Sequence, residues 1–172
     1  MAPPAIASAA RSSVICAIGA PIVSIRAEDL PPHERVILTV TGALANADAS
    51  GRIEFDLNAI ERLGLAKLIT WTPWTDGEVE FEGVWARRLM EAVGARGTEV
   101  EARALNDYKE WIPIEDFERY DVLLATRMKG QILQVRDKGP IWIVYPWSEH
   151  PELDDFATRE KSVWQLSALH VR

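Results

Sequence analysis

Hydrophobic and polar positions alternate in steps of two over most of this chain, with short interruptions in steps of three and four. Residues 36–40, Val-Ile-Leu-Thr-Val, are β-branched and aliphatic and predict a strand. After a turn through Gly42 and the polar run 46–51, Ile53, Glu54 and Phe55 predict a second. Asp56 then precedes Leu57, Ile60 and Leu63, an apolar stripe at helical spacing that Gly64 ends, so a capped helix is expected. Residues 66–72 predict a strand running into Thr72-Pro73-Trp74-Thr75-Asp76-Gly77, where Pro and Asp-Gly demand a loop. Val79 and Phe81 alternate with Glu78, Glu80 and Glu82, and Val100, Ala102 and Ala104 with Glu99, Glu101 and Arg103, giving two half-buried strands. Between them Leu89, Met90 and Val93 share a helical face before Gly94.

Asn106-Asp107 interrupts the pattern, and Trp111-Ile112-Pro113 leads to a short helical turn at 115–118. Residues 122–126 predict a strand that Lys129-Gly130 turns into Gln131-Ile132-Leu133. The continuous apolar run Ile141-Trp142-Ile143-Val144-Tyr145 is expected to be a buried central strand, residues 148–161 a long polar loop, and residues 163–171 a terminal strand. Strands outnumber helices, and the helices fall irregularly among them. The fold class is therefore α+β, a mixed β-sheet core with few short helices, in a single domain over residues 28–172.

Residues 1–27 depart from this pattern. Arg11 precedes the apolar stretch Val14-Ile15-Cys16-Ala17-Ile18-Gly19-Ala20-Pro21-Ile22-Val23, and small Ala27 stands before Glu28-Asp29. The stretch is too short to span a bilayer comfortably, and it fits the hydrophobic region of an export signal cleaved near Ala27. A periplasmic mature protein is expected. Cys16, the single cysteine, falls inside this leader, so neither an intrachain disulfide nor a cysteine-based metal site is available to the domain. At 48% hydrophobic and 26% charged the chain has the composition of a folded domain. Its net charge of −7 argues against nucleic acid as a partner but leaves room for a local basic pocket.

The common catalytic patterns are missing. His33, His150 and His170 lack metal-ligand spacing, no serine has an evident histidine partner, and no Gly-rich phosphate loop follows a strand. What remains is a set of aromatic and polar side chains in loops, where binding groups concentrate. Trp74 lies in a loop bounded by Pro and Gly and reads as a ligand contact. Trp71 and Trp147 read equally as core or ligand-facing, Trp142 as core, Trp85 and Trp164 as packing residues. Asn106, Asp107 and Tyr108 are either a turn or the polar anchor of a pocket rim. Arg136, Lys138, Arg159 and Lys161 are surface charges singly and together a source of cations for an anionic or carbonyl-rich ligand.

Several pieces in order carry a resemblance: Gly83-Val84-Trp85 before Leu89-Met90-Glu91, Tyr108 before Ile112-Pro113, residues 122–130 ending in Met128-Lys129-Gly130, the run from Gly139-Pro140 to Tyr145-Pro146, and residues 161–166. On these the chain resembles the molybdopterin-binding domain of the sulfite oxidase family. That resemblance implies a cleft for a pterin, with Tyr108 at the position of the family's active-site tyrosine. It also marks departures. The loop that carries the family's molybdenum-ligand cysteine reads Thr72-Pro73-Trp74-Thr75 here, and the terminal Lys-Trp-Leu is Trp164-Gln165-Leu166. Threonine and tryptophan cannot replace a soft thiolate.

The resemblance therefore implies a degenerate, non-catalytic, pterin-binding form that holds no metal, similar to exported cysteine-less members that bind reduced pterins and act with membrane signalling proteins. A molybdopterin-dependent oxidoreductase and an interaction module with a filled cleft are the alternatives. The expected ligand set is Trp71, Thr72, Trp74, Asn106, Asp107, Tyr108, Arg136, Trp147, Arg159, Lys161 and Ser162. In it an indole stacks on the pterin, a gain of about 0.5–1.5 kcal/mol beyond area burial. Asp107 accepts the pterin N3–H and 2-amino group, and Arg159 or Lys161 meets the carbonyl.

Overall fold

A computed structural model describes residues 35–172, and the leader expected at 1–27, with Cys16 and His33, lies outside them. Two five-stranded sheets share one hydrophobic core. The first contains β1 (Val36–Gly42), β2 (Arg52–Asp56), β5 (Glu99–Ala104), β6 (Lys109–Pro113) and β10 (Leu166–Val171), in the order β2-β1-β10-β5-β6. Its β1–β10 pairing is parallel and its other pairings are antiparallel. The second contains β3 (Ala66–Thr70), β4 (Val79–Trp85), β7 (Leu123–Met128), β8 (Gln131–Ile132) and β9 (Trp142–Val144). It runs β3-β4-β7-β8, with β9 also on β7, and is antiparallel throughout.

The alternation written into the sequence sets which face is buried. Val79, Phe81 and Gly83 point inward on β4 while Glu80 and Glu82 are half-exposed, and Val100, Ala102 and Ala104 do the same on β5. Helices α1 (Leu57–Glu61), α2 (Ala86–Val93) and α3 (Ile114–Arg119) close the connections. Asp56 caps α1 by accepting from the Ala59 N–H at 2.6 Å, and Gly94 ends α2 in the left-handed conformation, both as the sequence predicts. Gly83 has a different role. A Cβ there would run into the Leu124 carbonyl, because the β4–β7 register shifts at this point to admit Thr126 as a bulge.

Four expectations change. The run at 141–145 is buried throughout, but only Trp142–Val144 is strand, and it pairs with β7 alone. Its far side is met by the chain leading into β10: Ile143 N–H donates to Val163 O, and Leu166 N–H, at the start of β10, donates to Ile141 O, each at 2.9 Å. Two-faced burial, which the apolar run does encode, need not mean two strand neighbours. The polar segment 148–161 is not all loop. It holds a 3-10 turn at Pro151–Leu153 and helix α4 (Phe156–Lys161), whose N-cap Asp155 accepts from Thr158 N–H at 2.7 Å. Trp111-Ile112-Pro113 belongs to β6, which forms a hairpin with β5 around Asn106-Asp107. The last strand starts at Leu166, after Gln165 takes a left-handed conformation at φ 54°.

Candidate functional site

Three loop regions, far apart in sequence, meet at one pocket of about 320 Å³, within the range of small-ligand sites. The β3–β4 loop brings Trp74. The β5–β6 hairpin brings Ala104, Asn106 and Tyr108. Helix α4 and the chain after it bring Arg159, Glu160, Ser162, Val163 and Trp164. The site thus joins loops of both sheets, and α4 forms one wall.

Trp74 is half-buried and packs edge-on against three other indoles. Its ring lies 5.1 Å from Trp164 at 86°, 6.0 Å from Trp142 at 63° and 6.2 Å from Trp147 at 76°. Edge-to-face packing of this kind fixes ring orientation. The Lys138 ammonium sits 5.1 Å from the Trp164 ring centre and 5.5 Å from that of Trp142. A cation there is held by the ring quadrupole. Among the described residues neither Trp74 nor Trp164 donates its indole N–H to a protein acceptor, and no buried polar side-chain atom lacks a partner, so both N–H groups reach solvent.

The polar wall is partly committed. Tyr108 N–H donates to Asn106 Oδ1 at 3.1 Å, which shapes the hairpin, and Tyr108 OH donates to Glu160 O at 3.2 Å, which ties the hairpin to α4. Partial burial, with Glu110 and Glu160 nearby, raises the Tyr108 phenol above its ordinary value, so it stays protonated near neutrality. Arg159 pairs with Asp154 at 2.6 Å. Ser162 is buried; its Oγ donates to Ile143 O and accepts the Trp142 indole N–H at 3.2 Å, so it builds the wall without offering a free group.

Of the residues singled out from sequence, Trp74, Asn106, Tyr108, Arg159 and Ser162 are brought together here. The others stand elsewhere. Asp107 is exposed at the hairpin tip, in a left-handed conformation with φ 64°. Arg136 is exposed beside Asp137. Lys161 turns away to Asp116 at 2.8 Å, joining an acceptor that also takes the Tyr145 OH at 3.1 Å. Trp147 is fully buried with its N–H on Leu153 O at 3.0 Å, and Trp71 packs 6.3 Å from it. Thr72 is buried in the loop.

Sequence reasoning missed Glu160, Val163 and Ala104, and took Trp164 for packing alone. The signal available for Trp164 was its place after a helix end rather than inside a strand.

The Thr72–Thr75 loop tests directly whether a molybdenum centre fits. Thr72 N–H donates to Thr75 Oγ1 at 2.9 Å, Trp74 N–H to Thr72 Oγ1 at 3.2 Å, Thr75 N–H to Thr72 O at 3.1 Å, and Thr75 Oγ1–H to Gly77 O at 3.1 Å. Both hydroxyls are absorbed in closing the turn. No cysteine occurs among the described residues, and no group of three His, Asp or Glu side chains converges there. A thiolate-bound molybdenum does not fit these donors.

Two sheets, short helices and an aromatic pocket where loops of both sheets meet make this an α+β domain. A family profile, the oxidoreductase molybdopterin binding domain, matches residues 39–149, more than half of the chain, and the chain belongs to that family. The matched segment ends before α4, so the wall from Arg159 to Trp164 lies outside it. In three dimensions the chain is similar to the sulfane dehydrogenase SoxCD from Paracoccus pantotrophus, with a TM-score of 0.60 at 16% identity. The likeness covers 87% of this chain and 39% of that one, so this chain spans about two-fifths of the neighbour's length. At that identity the likeness concerns the fold. No curated protein matches the sequence.

Proposed function

We propose that this protein binds a free, reduced pterin in the Trp74–Tyr108–Trp164 pocket and works without a metal, as a periplasmic sensing protein rather than a redox enzyme. The observation that carries the reading is an aromatic pocket walled by Trp74, whose own loop spends the Thr72 and Thr75 hydroxyls on closing its turn and supplies no thiol. The cofactor-binding half of the family's site is kept and the metal-binding half is replaced.

In this reading the pterin ring lies against the Trp74 or Trp164 indole. Glu160, the one carboxylate among the lining residues, takes the pterin N3–H and 2-amino group in place of Asp107. Arg159 meets the C4 carbonyl. The choice of a free pterin over molybdopterin rests on charge. Molybdopterin carries a phosphate; among the described residues Arg159 is the one cation lining the pocket, already paired with Asp154 and with Glu160 beside it, and Lys138 stands against the Trp142 and Trp164 rings. Burying a phosphate against that balance is costly. Export follows from the leader expected at 1–27, and a membrane signalling protein is the partner this reading calls for.

The test is calorimetric titration with tetrahydropterin, beside metal analysis of protein purified from a molybdenum-replete host. The reading expects saturable binding in a one-to-one complex and substoichiometric molybdenum. Stoichiometric molybdenum would establish the oxidoreductase alternative. No binding of any pterin would leave an interaction module with a filled cleft.

A further inference from the structure

A second concavity lies on the other side of the β5–β6 hairpin tip from the pterin pocket. It holds about 440 Å³ between the start of β1, the β8 segment with the turn after it, and Ser167 of β10. Val36, Leu105, Ile132 and Val135 line it and are 45%, 52%, 43% and 52% exposed. Single exposed apolar side chains are ordinary, but four gathered in one groove mark a contact surface.

The groove runs beside a strand edge that, among the described residues, has no strand beyond it. β8 ends its sheet, with β7 as its partner. Met128 and Gln131 flank the Lys129-Gly130 turn, and Leu133 N–H donates to Thr126 O at 2.8 Å. Alternation along the hairpin therefore turns the Ile132 N–H and C=O away from β7. An edge of this kind accepts an extended peptide as an added strand. The rim is basic on a chain of net charge −7. Lys129 and Arg136 flank the lining segment 132–135, with Asp137 paired to Arg136 at 3.4 Å, and Arg35 itself lines the groove.

We infer that this groove docks an extended segment of a partner protein in which apolar side chains alternate with acidic ones. The segment's backbone pairs with Ile132. One of its faces fills the space between Val36, Leu105, Ile132 and Val135, and the other meets Lys129 and Arg136. Apolar area supplies the affinity, and charge selects an acidic partner over a basic one.

The experiment uses the full chain and two short capped peptides, one alternating valine with glutamate and one alternating valine with lysine, read by backbone amide exchange and NMR titration. The glutamate peptide is expected to protect the Ile132 amide and to bind at least about tenfold more tightly than the lysine peptide, with the gap narrowing as salt rises. Ile132→Ser and Arg136→Glu, both at exposed positions, are each expected to weaken it by about tenfold. Equal binding of the two peptides, or protection that maps elsewhere, would overturn the proposal. So would a concentration-dependent dimer abolished by Ile132→Ser, which gives the groove to a second copy. An Ile132 amide already protected in the peptide-free chain would give it to another part of this chain.

Discussion

Trp74 and Trp147 show how little a tryptophan's neighbours in sequence say about its surroundings. Both follow prolines near loop starts, yet Trp74 lines the pocket and Trp147 is sealed. The difference is made by the turn at Pro151–Leu153, which folds over Trp147 and offers its N–H the Leu153 carbonyl. Trp74→Ala is expected to weaken tetrahydropterin binding by at least about tenfold by calorimetry, because it removes a stacking face and loosens Trp164. Unchanged affinity would take Trp74 out of the site. Glu160→Gln should cost a similar factor if its carboxylate pairs with the pterin, and no change would return that role to another group.

Tyr145 gives a pH signature. Burial, with Asp116 close by, raises its phenol well above the ordinary value. An unfolded tyrosine ionises near about pH 10, while the folded one stays protonated. Stability is therefore complete below that pH and falls as pH rises through it, by up to about 1.4 kcal/mol per pH unit for one proton. Denaturant titrations should show this alkaline loss shrink in Tyr145→Phe. An identical slope in the variant would assign it to other groups.

Among the elements, the strands were the legible part. Alternation on β4 and β5 is a local property, since successive side chains must point to opposite faces whatever the rest of the chain does. Helix α4 was not legible. Its residues, Phe-Ala-Thr-Arg-Glu-Lys, have no apolar stripe, and Phe156 is 76% exposed. It is held instead by the Asp155 cap and by Lys161 on Asp116, a contact made across 45 residues. Asp155→Ala should cost about 1 kcal/mol, and because α4 carries Arg159 and Glu160 it should also weaken the pterin complex. Stability loss with unaltered binding would show that the wall does not depend on the cap. Gly83→Ala tests the sheet. Its added methyl meets the Leu124 carbonyl at the bulge, and a loss of about 1–3 kcal/mol in a denaturant titration is expected.

At the scale of the whole molecule, pocket and groove share the β5–β6 hairpin. Ala104, Asn106 and Tyr108 face the pocket, Leu105 faces the groove, and Leu105 N–H donates to Gln165 O at 2.9 Å beneath them. A segment that seats Leu105 steadies the tip that carries Asn106. Tetrahydropterin is therefore expected to tighten the glutamate-peptide complex, and linkage requires the peptide to tighten the pterin complex by the same factor. Two affinities that ignore each other would show the hairpin to be a rigid partition.

The sequence by itself determined the α+β class, most strands and the caps of α1 and α2, because these rest on local periodicity or on which atoms a side chain carries. Tertiary structure alone decided which aromatic and polar groups share a cavity. Trp74, Tyr108 and Trp164 meet only after both sheets form and α4 docks, and no spacing along the chain encodes a contact that depends on how two sheets pack.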